Sequence, residues 1–219
     1  MRNYQYIFWD LDGTIINSYR GVTNAVKQAL NHFGITMEES EYRKFIGPPL
    51  RKLFPEFCGL TQEQTMEAIK IYREYYIPTG VYECDLFPEV PKALEAFHKA
   101  GKIQVLTSSK PEPQCRQILE KFHLTDQFDE IVGASLDGKI DTKIQVLNEA
   151  FRRMEQNNPE ISRDQVVLIG DTFYDADGAH EAGISCVGVT YGFGTAEELH
   201  EHGVKDVYTD LETLVANMI

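Results

Sequence analysis

Long apolar runs, paired cysteines and an excess of basic charge are all missing from this 219-residue chain. No stretch approaches the ~20 consecutive apolar residues that a membrane-spanning helix needs. The four cysteines, Cys58, Cys84, Cys115 and Cys186, lie far apart and form no C-x-x-C pair. That spacing argues against a zinc site and a disulfide framework, and fits small apolar residues in a reducing compartment. The N-terminal MRNYQYIFWD shows no signal-peptide pattern, so a cytoplasmic location is expected. Basic residues number 21 against 34 acidic ones, a formal charge of −13. A protein lying along a nucleic acid polymer or an anionic membrane needs a basic face, so neither partner is expected. A small phosphorylated substrate stays compatible, because one metal ion and one lysine reverse the field locally. The sequence does not specify an oligomeric state.

What the chain does have is apolar stretches that stop abruptly at acids. Tyr6 to Trp9 has the length and bulk of a buried strand, and it ends in Asp10-Leu11-Asp12-Gly13-Thr14. Two acids one residue apart in an extended strand point the same way. Gly13 allows a sharp turn directly after them. Such a pair repels itself unless a cation or a shared proton relieves it. Mg2+ suits the task, since it takes oxygen ligands and is usually held by one or two carboxylates plus phosphate oxygens.

From Asn17 to about Tyr82 the pattern is helical. Val22, Val26, Ala29 and Phe33 mark one helix, which Gly34 stops, and Met66, Ile69, Tyr72 or Arg73, and Tyr76 mark another. Phe45 to Leu50, with Gly47, Pro48 and Pro49, separates them. From Phe87 onward, helices alternate with short strands at Lys102–Thr107, Ile131–Val132, Val166–Ile169 and Cys186–Val189, then a last strand near Val207-Tyr208 and a helix from Leu211 to Met218. This alternation implies a parallel sheet with right-handed crossovers. The expected architecture is α/β, a Rossmann-like parallel sheet core formed by residues 1–16 and 84–219, with an inserted helical cap domain at 17–83. Its hinges would lie at the rim of the site, a position that suits a lid.

Three further segments join the first as candidate site elements. Val166 to Ile169 ends in Gly170-Asp171, with Asp175 four residues on. Asp171 could complete a magnesium shell with Asp10 while Asp175 supports it, although Asp is also a common helix N-cap. Asp177 falls on a different helical face. In Thr107-Ser108-Ser109-Lys110, a hydroxyl at a strand end can meet a phosphoryl oxygen, with Ser108 the favoured contact and Ser109 and Thr107 its neighbours. Lys143 stands near a helix start, where a cation opposes the helix dipole unless an anion is close, and it is favoured over Lys139 to hold phosphate.

Asp10-Leu-Asp-Gly-Thr, the Ser108 strand end, Lys143 and Gly170-Asp171-x3-Asp175, in that order, closely resemble the haloacid dehalogenase-like hydrolase superfamily. The helical insert is similar to that of the phosphoglycolate phosphatase-like group, as are Phe45 to Leu50, the Ser-Leu-Asp-Gly stretch before Lys143, and Thr190-Tyr-Gly-Phe-Gly194. The resemblance implies a magnesium-dependent phosphatase of small phosphomonoesters such as phosphoglycolate or a 5′-nucleotide. It implies Asp10 as the nucleophile and Asp12 as the general acid and base. It implies Mg2+ held by Asp10, the backbone carbonyl of Asp12, and Asp171, with phosphoryl oxygens on Ser108, Ser109 and Lys143. Dehalogenating members lack the second acid, so Asp12 favours phosphoryl transfer. Ser108 departs from the Thr-Asn-Lys familiar in phosphoglycolate phosphatases but keeps the hydroxyl. A phosphomutase of the β-phosphoglucomutase type and a non-enzymatic aspartyl-phosphate signalling domain are the alternatives. In the cap, Gly47 and Pro49 are expected in a rigid loop reaching the cleft, with Arg51 near the leaving group. A plain interhelix turn with Arg51 in solvent fits the same residues.

Overall fold

The first strand of the sheet is the one whose ends matter most. In the computed structural model, which describes residues 4–219, β1 is Tyr6–Trp9 and all four of its side chains are buried. A strand covered on both faces reads as a continuous apolar run rather than an alternating one. The chain then leaves through β2 (Ile16–Asn17) into α1 (Tyr19–His32), α2 (Leu50–Cys58) and α3 (Gln62–Tyr76). It returns through β3 (Asp85–Leu86), which pairs with β2. There follow α4 (Val90–Lys99), β4 (Ile103–Pro111), α5 (Glu112–Lys121), β5 (Glu130–Ala134), α6 (Lys143–Asn157) and β6 (Val166–Gly170). The chain closes with α7 (Phe173–Glu181), β7 (Ser185–Val189), α8 (Ala196–Glu201), β8 (Asp206–Tyr208) and α9 (Leu211–Met218).

The strands form a six-stranded parallel sheet in the order β5-β4-β1-β6-β7-β8. The order reverses at β1, and open α/β sheets bind ligands at such a switch point, beyond the carboxyl ends of the strands. Register brings the ends together: Trp9 lies opposite both Leu106 of β4 and Ile169 of β6. Asp10, Thr107 and Gly170 therefore lie in one row across the sheet.

On one face, Phe8 meets Phe151 of α6 with ring centroids 5.5 Å apart, amid Val105, Val132, Leu147 and Leu168. On the other, Trp9 packs edge-on against Phe97 of α4, and its indole N–H donates to the buried Gln104 at 3.2 Å. The Gln104 amide in turn donates to the carbonyls of Leu94 and Gln127, so this polar group inside the core is satisfied.

The chain divides into two compact units, the described residues through Ile16 with Leu86–Ile219, and Asn17–Asp85. In the second unit, α1 ends before Gly34. The α3 reading needs correction. Its buried residues are Thr65, Ala68, Ile69, Tyr72 and Tyr76, whereas Met66 is exposed. The segment between α1 and α3 is more than a break. A 3-10 turn at Glu39–Phe45 and the nine-residue α2 occupy it. Two prolines before α2, Pro55 inside it and Gly59 in a left-handed C-cap all read as breakers, yet Leu53 and Phe54 are buried and the Phe45 ring packs at a tilt against Phe54. The short α8, at Ala196–Glu201, also lies beyond the sequence reading.

Among the described residues no helix is long and apolar enough to cross a membrane, and all four cysteines are free. Phe151→Ala should cost about 3–5 kcal/mol, the usual range for removing a buried aromatic ring. A guanidinium midpoint within error of the parent would show that the α6–sheet contact is not the core inferred here.

Candidate active site

Four buried carboxylates and two buried lysines meet at the ends of β1, β4 and β6. Asp10, the first residue past β1, keeps its backbone in line by donating its N–H to Ile169 at 2.9 Å. Its carboxylate pairs with the ammonium of Lys143, the first residue of α6. That ammonium also lies 2.8 Å from Asp175 and donates to the Thr107 carbonyl at 3.1 Å. Lys143 is not a solvated surface cation. Its stem runs against α7 at Gly178, where a Cβ would stand 2.5 Å from Lys143 Cγ, so a side chain there would push the lysine from its seat.

Asp12 faces a second lysine. Lys110 Nζ lies 2.9 Å from Asp12 Oδ2, and both side chains are 7% exposed. The other oxygen, Oδ1, is buried and has no hydrogen-bond partner among the described residues.

Among the described residues, Asp171 has no ammonium partner of this kind. Thr14 donates its hydroxyl to Oδ1 at 3.1 Å, and the Phe193 N–H donates to Oδ2 at 2.6 Å. The Thr14 carbonyl accepts from the Tyr191 hydroxyl at 2.8 Å, which ties the first motif to the loop after β7. Gly13 has φ +96°, and a Cβ there would lie 2.0 Å from Asp171 Oδ2, so only glycine lets the two motifs approach. The N-cap of α7 is Thr172 rather than Asp171, with the Thr172 N–H and hydroxyl both donating to Asp175. Asp171 is thereby left to face the site.

Asp10, Asp171 and Asp175 each offer an oxygen, and the three oxygens lie within 4.8 Å of one another. The carboxylate of Asp12 is not in that group, and Asp175 is. Oxygen donors without histidine or thiolate suit a hard cation. Charge points the same way. With all groups ionised, four carboxylates against two ammoniums leave two negative charges in a site shielded from water. Burial, together with the neighbouring Asp175 and Asp12, pushes Asp10 up to about 7 even though Lys143 opposes the rise. Burial, then the charges of Asp175 and Asp10, holds Asp171 well above the usual carboxylate range. Burial also works against the Lys143 ammonium, but Asp10 and Asp175 outweigh it and raise its pKa. A divalent cation would match the two uncompensated charges.

Ser108 is buried, and its hydroxyl accepts from the Lys110 N–H at 3.2 Å. Ser109 is half-buried. Thr107 is committed elsewhere, since its hydroxyl donates to the Trp9 carbonyl at 3.3 Å. The nearby Cys115 is fully buried and burial pushes its thiol up to about 12, which argues against a thiolate nucleophile. Gly47, Pro49 and Arg51 belong to the helical unit. Gly47 has φ +105° and Arg51 is exposed on α2. Lys110, Thr14, Tyr191 and Phe193 were not assigned roles from sequence. Lys110 sits two residues after Ser108, and Thr14 and the Thr190–Gly194 stretch were visible as motifs, but their partners are distant in the chain.

The haloacid dehalogenase-like hydrolase family model matches residues 7–189. The chain belongs to this family. A 5′-nucleotidase from Pseudomonas aeruginosa is 33% identical over 212 residues, covering 96% of this chain and 94% of that protein. The tyrosine-protein kinase PtkA of Mycobacterium tuberculosis is 36% identical over 194 residues, which are 88% of this chain and 64% of that protein. A phosphoglycolate phosphatase from Vibrio cholerae is 25% identical over 224 residues, 98% of this chain and 97% of that one. Among solved structures, a predicted phosphatase from Clostridium acetobutylicum superposes with a TM-score of 0.92 at 38% identity, covering 98% of each chain.

Lys143→Met should strand two buried carboxylates. Removing one partner of a buried ion pair typically costs about 3–5 kcal/mol. Urea unfolding in EDTA should show that loss. An unchanged midpoint would mean that Asp10 and Asp175 do not depend on the lysine.

Proposed function

We propose that this haloacid dehalogenase-like phosphatase hydrolyses small phosphomonoesters, of the 5′-nucleotide or phosphoglycolate kind, through a phosphoryl group carried on Asp10. The observation that carries the reading is the division of labour between Asp10 and Asp12. They lie two residues apart at one strand end, each beside its own lysine. Oδ1 of Asp10 is engaged with Lys143, so the attack on phosphorus is assigned to Oδ2. Asp12 keeps one buried oxygen without a hydrogen-bond partner among the described residues, as a proton donor and acceptor requires.

In the first step an Asp10 oxygen bonds to phosphorus, the bond from phosphorus to the leaving oxygen breaks, and that oxygen takes the proton from Asp12. In the second, a water oxygen bonds to phosphorus as Asp12 takes back a proton. The Asp10–phosphorus bond then breaks, and inorganic phosphate and the starting carboxylates remain. Ser108 and Lys143 hold phosphoryl oxygens, with Ser109 beside them. Asp10 and Asp171, with the Asp12 carbonyl, would hold Mg2+, and Asp175 fixes Lys143 and backs that site. When bound, such a cation would neutralise charge on the phosphoryl oxygens. The free cysteines agree with a cytoplasmic location.

Transfer to another acceptor shares the first step. The similarity to a protein named as a tyrosine kinase makes a tyrosine hydroxyl one such acceptor, and a sugar hydroxyl, as in a mutase, is another. The fate of the phosphoryl group separates these readings. A panel of phosphate esters with Mg2+ should yield stoichiometric inorganic phosphate, and EDTA should silence it. Retention of one phosphoryl per chain without turnover would contradict hydrolysis. Asp10→Asn should abolish turnover with the fold intact, because an amide is a far poorer nucleophile. Near-parental activity, free of deamidation, would remove Asp10 from the chemistry. Asp171→Asn should raise the Mg2+ concentration needed for half-maximal rate at least about tenfold, the lower end of losses seen on disturbing metal-site partners. An unchanged Mg2+ requirement would move the cation site elsewhere.

A further inference from the structure

Lys110 is buried beside the reacting groups, yet neither step above uses it. Its position is built by the fold. The β4–β5 pairing shifts register between Ser108 and Pro111, and Lys110 lies within that irregular stretch. Its N–H donates to the Ser108 hydroxyl, and its carbonyl accepts from the Cys115 thiol at 3.4 Å, so the backbone is held by the strand and by α5. The ammonium reaches Asp12, whereas Lys143 takes Asp10 and Asp175.

An ion pair out of water is held more firmly than one on the surface, where long side chains move and salt screens them. With Oδ2 fixed by Lys110, the carboxylate plane of Asp12 has one remaining oxygen, Oδ1, and that is the buried atom without a hydrogen-bond partner among the described residues. We propose that Lys110 is the positioning residue for Asp12, holding Oδ2 so that Oδ1 is the oxygen that gives up the proton in the first step and accepts it in the second. The proposal rests on the aspartyl-phosphate reading above. It differs from direct recognition of substrate phosphate by Lys110, which would act on binding and on the first step alike.

The test compares Lys110→Met, Lys110→Arg, Asp12→Asn and the Lys110→Met/Asp12→Asn double variant, each checked for parental circular dichroism. The probes are p-nitrophenyl phosphate, whose leaving group needs no proton, and glycerol 2-phosphate, whose leaving group does. In Lys110→Met, rapid mixing with p-nitrophenyl phosphate should give a burst of about one nitrophenolate per chain at near-parental rate. Steady turnover should then be about 10²-fold slower, the scale of a misplacement near 1 Å. Turnover of glycerol 2-phosphate should fall as far with KM changed less than about threefold, and the double variant should be no slower than Asp12→Asn alone. Lys110→Arg should recover part of the loss. Should the methionine variant fail to fold, Lys110→Gln replaces it with the same expectations. A burst slowed as much as turnover, a large KM rise on both esters, or additive losses in the double variant would overturn the proposal in favour of direct phosphate binding. Parental kinetics in Lys110→Met would also overturn it. A parent protein that releases no phosphate from either ester would instead overturn the reading on which it rests.

Discussion

The arrangement at the strand ends is governed by charge held away from water. Asp10, Asp12, Asp171 and Asp175 are each at most 7% exposed, and among the described residues only two ammoniums face them. Isolated charges in such a place are expensive, so each must be paired, hydrogen-bonded or protonated. Lys143 bridges Asp10 and Asp175, Lys110 holds Asp12, and Thr14 with the Phe193 N–H caps both oxygens of Asp171. Hydrogen bonds orient Asp171 but do not cancel its charge. The imbalance of two negative charges is what makes a divalent cation the natural complement of this site.

The sheet exists to make that imbalance tolerable. Three strands exit in register around β1, which fixes Asp10, Thr107 and Gly170 in a row without any long side chain having to span the gap. Buried packing on both faces of β1, Phe8 on Phe151 and Trp9 on Phe97, anchors the row. Glycine at 13 lets the first motif touch Asp171, and glycine at 178 lets the Lys143 stem lie against α7. The energy that holds unfavourable charges together comes from the apolar core behind them, as is usual where functional geometry is strained.

Much of this was legible in the sequence because strand exits are local signals. A buried apolar run followed by acids, as at Trp9-Asp10 and Ile169-Gly170-Asp171, announces itself from a few residues. The pairing of Lys110 with Asp12, and of the Thr190–Gly194 loop with Asp171, depends on contacts about 20 to 100 residues apart, which periodicity does not encode. The helical unit was read less well for a different reason. In α2, prolines and a terminal glycine mask a real helix, and in α3 the exposed Met66 mimics a core position while Thr65 and Ala68 fill it. Asp171 was open to reading as a helix cap, and the presence of Thr172 one residue later took that role away from it.

The most direct test of the charge account is equilibrium binding of Mg2+ to the phosphate-free protein, measured by isothermal titration after rigorous removal of metal. The expected result is one Mg2+ per chain, with protons released as the raised carboxylates of Asp10 and Asp171 ionise, and with binding at least about tenfold weaker in Asp171→Asn. Absence of saturable binding in the parent protein, or undiminished binding in that variant, would contradict the account.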